Sequence, residues 1–436
     1  MTDKIVIVGA GVAGINAATK LVDNGYPGEL ITIIDKGNDP HNRLPEEVMT
    51  GMLGAGGWSD GKLTYHTEIG GQLSKYCGDE KAMELMKQVV DNFRRFHPKP
   101  EEIFMSDPQE EPEFIKPYFG LRMFPVWHIG SNFLHEIAKA WYQYLLDKGV
   151  KFMWNTEVIS IDFENNELKY EGSPISEIVK LLSYEKLIFA VGKSGIDFAQ
   201  KLADDYKLPN EPKAVQIGVR FEAPQKYFQK LIDVSYDFKL YQKFDNVSLR
   251  SFCTNNNAAY VAVEETYGDV SYNGHAKKGE EFRNNMTNFG ILMEIKGIED
   301  PFKWSRFVVS NMQAAGTGLY YSPNQTRKPS QTSENNTVSA TEIDDNQLDV
   351  VRVLMEGYFE HIDNFISDMN KIFNFGDDWG MYIPEVKYLS PEPLVKYDDL
   401  SLAEYPNVHF VGDALSARGI TVSGAHGIYV AEKFIS

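Results

Sequence analysis

The chain has 436 residues, 43% apolar and 24% charged, with a formal net charge of −19. That length can hold two or three domains with sizeable cores, the composition is that of an ordinary soluble globular protein, and the acidic balance argues against electrostatic capture of a nucleic-acid backbone. The two cysteines, Cys77 and Cys253, lack metal-like spacing and read as free thiols; no run approaches the roughly 18 apolar residues of a membrane span, and Ile5–Val8 is too short for a signal peptide, so a cytoplasmic protein is expected.

Ile5–Val8 is a β-branched run without alternation, which suggests a strand buried on both faces of a parallel sheet. Gly9, Gly11 and Gly14 follow as G-x-G-x-x-G. In a dinucleotide fingerprint the first glycine permits the tight turn, the second a close approach to a pyrophosphate, and the third close packing of helix on sheet. The helix is predicted from about Val12 to Asn24, with Gly25 as its stop. A second strand, Leu30–Ile34, ends on Asp35, with Lys36 beside it. Asp35 lies where an acid accepts hydrogen bonds from ribose hydroxyls, and an acid there disfavours a 2′-phosphate. An ADP-ribose moiety is therefore expected, without separating FAD from NAD.

Next comes a glycine-rich loop, "GMLGAGGWSDGKLT" (Gly51–Thr64). Its letters Gly57-Trp58-Ser59-Asp60-Gly61 match a nucleophile elbow, but a loop rather than a strand leads into them, which argues against a hydrolase serine. Asp79 to Pro98 has helical periodicity through Met83, Met86, Val89, Val90 and Phe93. A polar, proline-rich connector follows, then a second helix at about Ser131–Lys148. "GVKFMWNTEVISIDF" (Gly149–Phe163) and "KLIFAVGKSG" (Lys186–Gly195) are strand-like. Gly192-Lys193-Ser194 fails as a P-loop, because Leu187 occupies the first glycine's position.

Alternating runs at Val215–Phe221, Ala259–Val263 and Phe289–Ile295 suggest a mixed or antiparallel sheet. Ser322–Asp345 is polar and reads as a long exposed loop, and Gln347–Ile372 as one or two amphipathic helices. Val408–Val411 is a last buried strand stopping at Gly412-Asp413, and a helix is expected from near Gly424-Ala425. No second glycine fingerprint follows a strand, so a separate nicotinamide domain of the disulfide-reductase kind is not expected. No cluster has metal-ligand spacing, and no metal is expected.

A strand ending in Gly-Asp, then a loop and a helix, resembles the closing motif of FAD-binding folds of the glutathione-reductase type. The resemblance implies FAD. It places Gly412 and Asp413 on the ribityl chain, and the helix start at Gly424 and Ala425 at the flavin pyrimidine. It also puts the Thr156–Val158 backbone on adenine and Gly192 in the turn where such folds carry Ala-Thr-Gly. Gly54, Gly56 and Gly57 would run beside the isoalloxazine, with Ser59 bonding flavin N5 or a phosphate. Lys62 would stabilise reduced flavin, or else be a solvated loop lysine; Arg43 would neutralise the pyrophosphate, or else lie on the surface. Arg418 would touch flavin or substrate.

The Ser-Asp-Gly-Lys block, with "PVWHIGSNFL" (Pro125–Leu134), "VQIGVRFEAP" (Val215–Pro224), "LRSFCTNNNAAYVAVEETYGDVSYNGH" (Leu249–His275) and "MTNFGILMEI" (Met286–Ile295), resembles the uncharacterised FAD-dependent dehydrogenases of bacteria and archaea. Members tend to carry Cys-x-Cys-Pro-Gly-Gly where this chain has Cys253-Thr254-Asn255-Asn256-Asn257. The expected fold is α/β: a Rossmann-like FAD-binding domain with a parallel sheet, in pieces 1–75, 120–205 and 385–436. Residues 76–119 form a helical cover and connector, and 206–384 a second, α+β substrate or cap domain with a mixed or antiparallel sheet.

The expected activity is hydride transfer between flavin N5 and a small or tethered organic substrate, with NAD(P)H or dioxygen as redox partner and Lys62, Ser59 and Arg418 as catalytic candidates. Arg220, Arg250 and His275 are candidates for an anionic substrate, and His128 for packing or capping. Two alternatives stand beside this reading. One is an amine or amino-acid oxidase, with a modified nucleobase or RNA as a special case; the other is a binding protein that keeps the fold without catalysis.

Overall fold

A computed structural model describes the chain apart from residues 1, 45–46, 173–178, 212–214, 267, 314–315, 333–334, 389–391 and 436. Five parallel strands form one sheet in the order Val408–Phe410, Lys186–Phe189, Ile5–Val8, Ile31–Ile34, Lys151–Met153. Ile5–Val8 is buried throughout, with a strand on either side, which is why its sequence shows no polar alternation.

Helix Val12–Asp23 packs on the closing helix Ile420–Ile435. Their backbones come so close that a Cβ on Gly427 would lie 2.0 Å from the Ala13 carbonyl oxygen. Helix Asp79–Phe96 covers the closing helix with Leu85, Met86, Val89 and Phe93. The closing helix starts at Ile420 rather than near Gly424, so Gly424 and Ala425 lie one turn inside it. No proline or charge marks that start, and the Gly-Ala pair drew the expected boundary inward.

An eight-stranded sheet builds a second core. Its order is Thr341–Ile343, Leu319–Tyr321, Gly380–Lys387, Val215–Pro224, Met286–Ile295, Val247–Asn257, Phe238–Lys243, Gly120–Met123. All its pairings are antiparallel except that between its first two strands. One face is apolar: Ile217, Val219, Phe221, Leu249, Ile291 and Met293 are buried beneath helices Pro301–Met312, Asp345–Leu354 and Phe359–Phe373. Because side chains alternate along a strand, Gln216, Arg220, Ser248, Arg250, Leu292 and Glu294 project from the other face. The edge strand Gly120–Met123 pairs in this sheet rather than beside the parallel one. Four residues, Gly-Leu-Arg-Met, carry no local signal of which sheet they join.

Ala259–Thr266 and Asp269–Ala276 form a separate hairpin over part of that polar face. Tyr272 meets Tyr382 there at 5.0 Å between ring centroids, and Arg220 donates to Asn273. The polar stretch Ser322–Asp345 is tethered where it is described. Ser330 N–H donates to the Tyr382 hydroxyl, Ser330 Oγ donates to Glu222, and Val338 is buried.

Candidate functional site

A cavity of about 1170 Å³ opens where the carboxyl ends of the parallel strands meet the uncovered part of the polar sheet face. Such a crevice beyond the strand ends is where open α/β sheets take ligands. Gly9, Gly11, Asp35, Ala190, Gly192, Gly412 and Asp413 line one side. Gln216, Ser248, Arg250, Leu292 and Glu294 line the other.

The three fingerprint glycines stand in different surroundings. Gly9 has φ +108°, and a Cβ there would lie 2.3 Å from the Ala190 carbonyl. A Cβ on Gly14 would lie 2.2 Å from the Gly9 carbonyl, so any larger residue would push the helix off its strand. A Cβ on Gly11 would meet nothing nearer than 3.9 Å; it would project into open space at the cavity wall. Gly11 also caps the helix without a side-chain bond, which leaves the first-turn N–H groups to an anion.

Asp35 is heavily engaged. Its Oδ2 accepts from Ala10 N–H at 2.7 Å, and its Oδ1 from Gly37 and Gly51 N–H, both at 2.8 Å. With about four acceptor sites on a carboxylate, one remains for a ribose hydroxyl. Asp413 differs: its Oδ1 is buried, borders the cavity and has no hydrogen-bond partner among the described residues. A buried acceptor left open in this way suits a hydroxyl-bearing chain such as ribityl. The open Gly11 cradle, the uncapped helix and Asp413 together fit FAD: the amides would take its pyrophosphate and Asp413 its ribityl hydroxyls.

Other expected contacts lie elsewhere. Arg43 does not line the cavity; its guanidinium donates to the carbonyls of Glu47, Val48, Met52 and Gly54 and so pins the glycine-rich loop. Lys36 is exposed and donates to the Ser194 carbonyl. Val158 is buried in the strand Thr156–Asp162, away from the cavity lining. Gly57 packs under Arg43, Gly56 borders the cavity against Val12, and Gly424 packs on Val89 and Asn16. Within the closing helix it is Ile420 and Ser423, not Gly424 and Ala425, that border the cavity.

Ser59 lines the cavity, but its hydroxyl donates to the Gly56 carbonyl and accepts from Gly61 N–H, and it follows a 3₁₀ turn rather than a strand. Arg418 lines it too, donating to the Tyr388 carbonyl. Arg220 is fully buried in an ion pair with Glu385 at 2.9 Å under the hairpin, outside the cavity. His128 is buried, and burial holds its pKa well below the ordinary value, so it is neutral.

Lys62 has the most elaborate surroundings. Its buried ammonium donates to the Thr254 carbonyl at 2.6 Å and lies 2.9 Å from Asp60 and 3.5 Å from Asp237. Burial works against its charge, but Asp237 and Asp60 outweigh that and hold its pKa above the usual lysine value. Asp237 resists burial in turn: Lys239 and Lys62 pull its pKa down to about 2. Lys62 therefore ties the strand after the glycine-rich loop to the eight-stranded sheet. The sequence offered no sign of Asp237. It did offer Asp60, two residues before the lysine. Lys193, Lys239 and Lys387 also line the cavity and were not singled out from sequence.

Residues 3–211, just under half of the chain, match the family model described as pyridine nucleotide-disulphide oxidoreductase. No curated protein matches the sequence. Among solved structures, a flavoprotein/dehydrogenase from Cytophaga hutchinsonii is similar at 11% identity and a TM-score of 0.42, over 100% of this chain and 78% of that one. The flavin-dependent halogenase CmlS is similar at 10% identity and a TM-score of 0.41, over 99% of this chain and 56% of that one. Halogenase PltM in complex with phloroglucinol and FAD is similar at 11% identity and a TM-score of 0.42, over 99% of this chain and 69% of that one. The chain thus spans little more than half the length of CmlS, and likenesses this remote transfer no activity. No helix among the described residues is long and apolar enough to cross a membrane. Residues 3–211 are thus similar to the pyridine nucleotide-disulphide oxidoreductase family, and the Rossmann-type unit they build carries a site that fits FAD.

Proposed function

We propose that the protein is an FAD-dependent oxidoreductase acting on a small organic molecule between the parallel-sheet unit and the eight-stranded sheet. The observation that carries the reading is the continuity of the cavity. One space runs from the Gly9–Gly11 turn past Asp413 and on to a polar wall on the facing sheet. Its volume exceeds the roughly 300–1,000 Å³ of a usual small-molecule site, which suits a dinucleotide with a second ligand beside it. FAD bound there would supply hydride transfer at N5. The chain would supply position, exclusion of water and a fixed field.

In this reading residues 206–384 act as the cap. The Lys62 cluster is a fixed polar group of the cavity wall, with its charge matched by two carboxylates rather than offered to the flavin. Ser59, already bonded to Gly56 and Gly61, orders the loop beside the cofactor.

The test is spectroscopic. Purified protein should carry the absorbance of oxidised flavin, released on denaturation as FAD. Anaerobic mixing with NADH, NADPH, and primary amines or amino acids then sorts the electron donors. Bleaching by an amine but by neither nicotinamide would move the assignment to an oxidase, and colourless protein that takes up no FAD would end the flavoenzyme reading.

A further inference from the structure

Among the described residues, four of the nine cations that line the cavity are already matched. Lys62 faces Asp60 and Asp237, Lys239 pairs with Asp237 at 3.1 Å, Lys387 lies 3.3 Å from Glu385, and Arg122 lies 3.5 Å from Glu68. Lys243 and Lys296 are exposed. Three others stand apart. Lys193, Arg250 and Arg418 line the cavity with no carboxylate at ion-pair distance among the described residues.

They come from three separate parts of the chain. Lys193 follows the strand Lys186–Phe189, Arg418 follows the Gly412-Asp413 turn, and Arg250 lies on the facing sheet, opposite Tyr241 and Leu292. Their fields overlap: after burial, Lys387 and then Arg418 depress the pKa of Lys193, and Arg250 that of Arg418. Burial lowers all three, and the acids that oppose it (Glu264 and Asp413 for Lys193, Asp413 for Arg418, Glu294 for Arg250) do not restore them. Arg250 is open to the cavity, while Lys193 and Arg418 are half-buried. Among the described residues, one guanidinium nitrogen of Arg418 is used, on the Tyr388 carbonyl.

Unmatched cations crowded at a partly desolvated wall are unfavourable unless an anion joins them. We propose that Lys193, Arg250 and Arg418 form an anion site for a carboxylate of the substrate, which rests on the reading of the protein as a flavin oxidoreductase. Two features favour a substrate carboxylate over a cofactor phosphate. Arg250 belongs to the facing sheet rather than to the Gly9–Gly11 turn, where a pyrophosphate is cradled. A guanidinium also presents a planar fork that matches a carboxylate in two parallel hydrogen bonds. A substrate held there lies across the gap between the two sheets, its charge fixed at the wall and the rest of the molecule free to face the flavin.

The probe is benzoate, with benzamide as its uncharged counterpart, titrated into the purified flavoprotein by calorimetry and by perturbation of the flavin absorbance. Benzoate is expected to bind, and benzamide about tenfold more weakly or not at all. Arg250→Gln and Lys193→Met should each weaken benzoate about tenfold, the worth of one charge-assisted hydrogen bond, with flavin content unchanged. Arg250→Lys should keep part of the affinity. Equal binding of benzamide, or variants that bind benzoate as the parent does, would overturn the site. So would benzoate or inorganic phosphate expelling the flavin, because the anion would then occupy the cofactor's own phosphate position. Protein that never takes up FAD sinks the flavin reading instead, while calorimetry with benzoate still reports on the three cations.

Discussion

Lys62 and Asp237 face each other at 3.5 Å in the interior, one on the short strand after the glycine-rich loop and the other on the approach to the strand Phe238–Lys243. With Asp60 and the Thr254 carbonyl they form a buried tie between that short strand and the eight-stranded sheet. Lys62→Met removes the cation that bridges Asp60 and Asp237 and leaves Asp237 with Lys239. Breaking a buried pair in this way costs about 3–5 kcal/mol. Urea unfolding followed by circular dichroism should show that loss, and Asp237→Asn, which leaves Lys62 paired with Asp60, should lose less. Equal stability of Lys62→Met and the parent protein would mean that the tie contributes nothing.

Asp413→Ala removes a buried acceptor left open at the cavity beside the Gly9–Gly11 turn. Flavin absorbance relative to protein absorbance is expected to fall sharply, with the thermal midpoint of the flavin-free protein unchanged. Asp35→Ala should behave differently. Asp35 receives three backbone N–H groups, from Ala10, Gly37 and Gly51, so its loss should lower flavin content and also destabilise the apoprotein by about 1–3 kcal/mol. A contrast between the two variants is the measurement that matters.

Glu222 gives the stability a pH dependence near neutrality. It is fully buried; burial raises its pKa to about 7, against the opposing pull of the Ser330 hydroxyl and Arg327. In the unfolded chain it releases its proton near the ordinary glutamate value, about 4.3. The folded state therefore holds one more proton between roughly pH 4.5 and 7, and the stabilisation is lost as pH rises through that window. Integrated, the effect is on the order of 3 kcal/mol. Thermal midpoints measured from pH 5 to pH 8 should fall in the parent protein and fall less in Glu222→Gln, which keeps an acceptor for Ser330.

Gly427→Ala tests the crossing of the first and last helices. The added Cβ would lie 2.0 Å from a backbone oxygen of Ala13, which cannot move aside as a flexible side chain can. Overpacking of this kind costs about 1–3 kcal/mol. Because the Ala13 turn carries the fingerprint amides, flavin retention should fall along with the thermal midpoint. A variant as stable as the parent would show that the two helices separate without penalty.

The strand Ile5–Val8, its three glycines, the helix behind them and Asp35 were legible as a unit, because each signal acts over one turn or one strand and the residues are contiguous. The same holds for Gly412-Asp413 and for the alternation of Val215–Phe221, which suggested a mixed or antiparallel sheet before any partner strand was known. The partners of Lys62 were not legible. Thr254 is 192 residues away along the chain, and no local pattern records which carbonyl a lysine will meet. Arg43 shows the limit from the other side: an arginine near a phosphate motif suggested a cofactor contact, but the surrounding loop offered it four backbone carbonyls first. Short-range stereochemistry therefore set the nucleotide-binding turn from the sequence alone. Whether a given cation is buried in a pair, as Arg220 is beneath the hairpin, or faces the cavity, as Arg250 does, was decided only by which elements the tertiary structure packed over that face of the eight-stranded sheet, because burial there removes water from one and leaves it at the other.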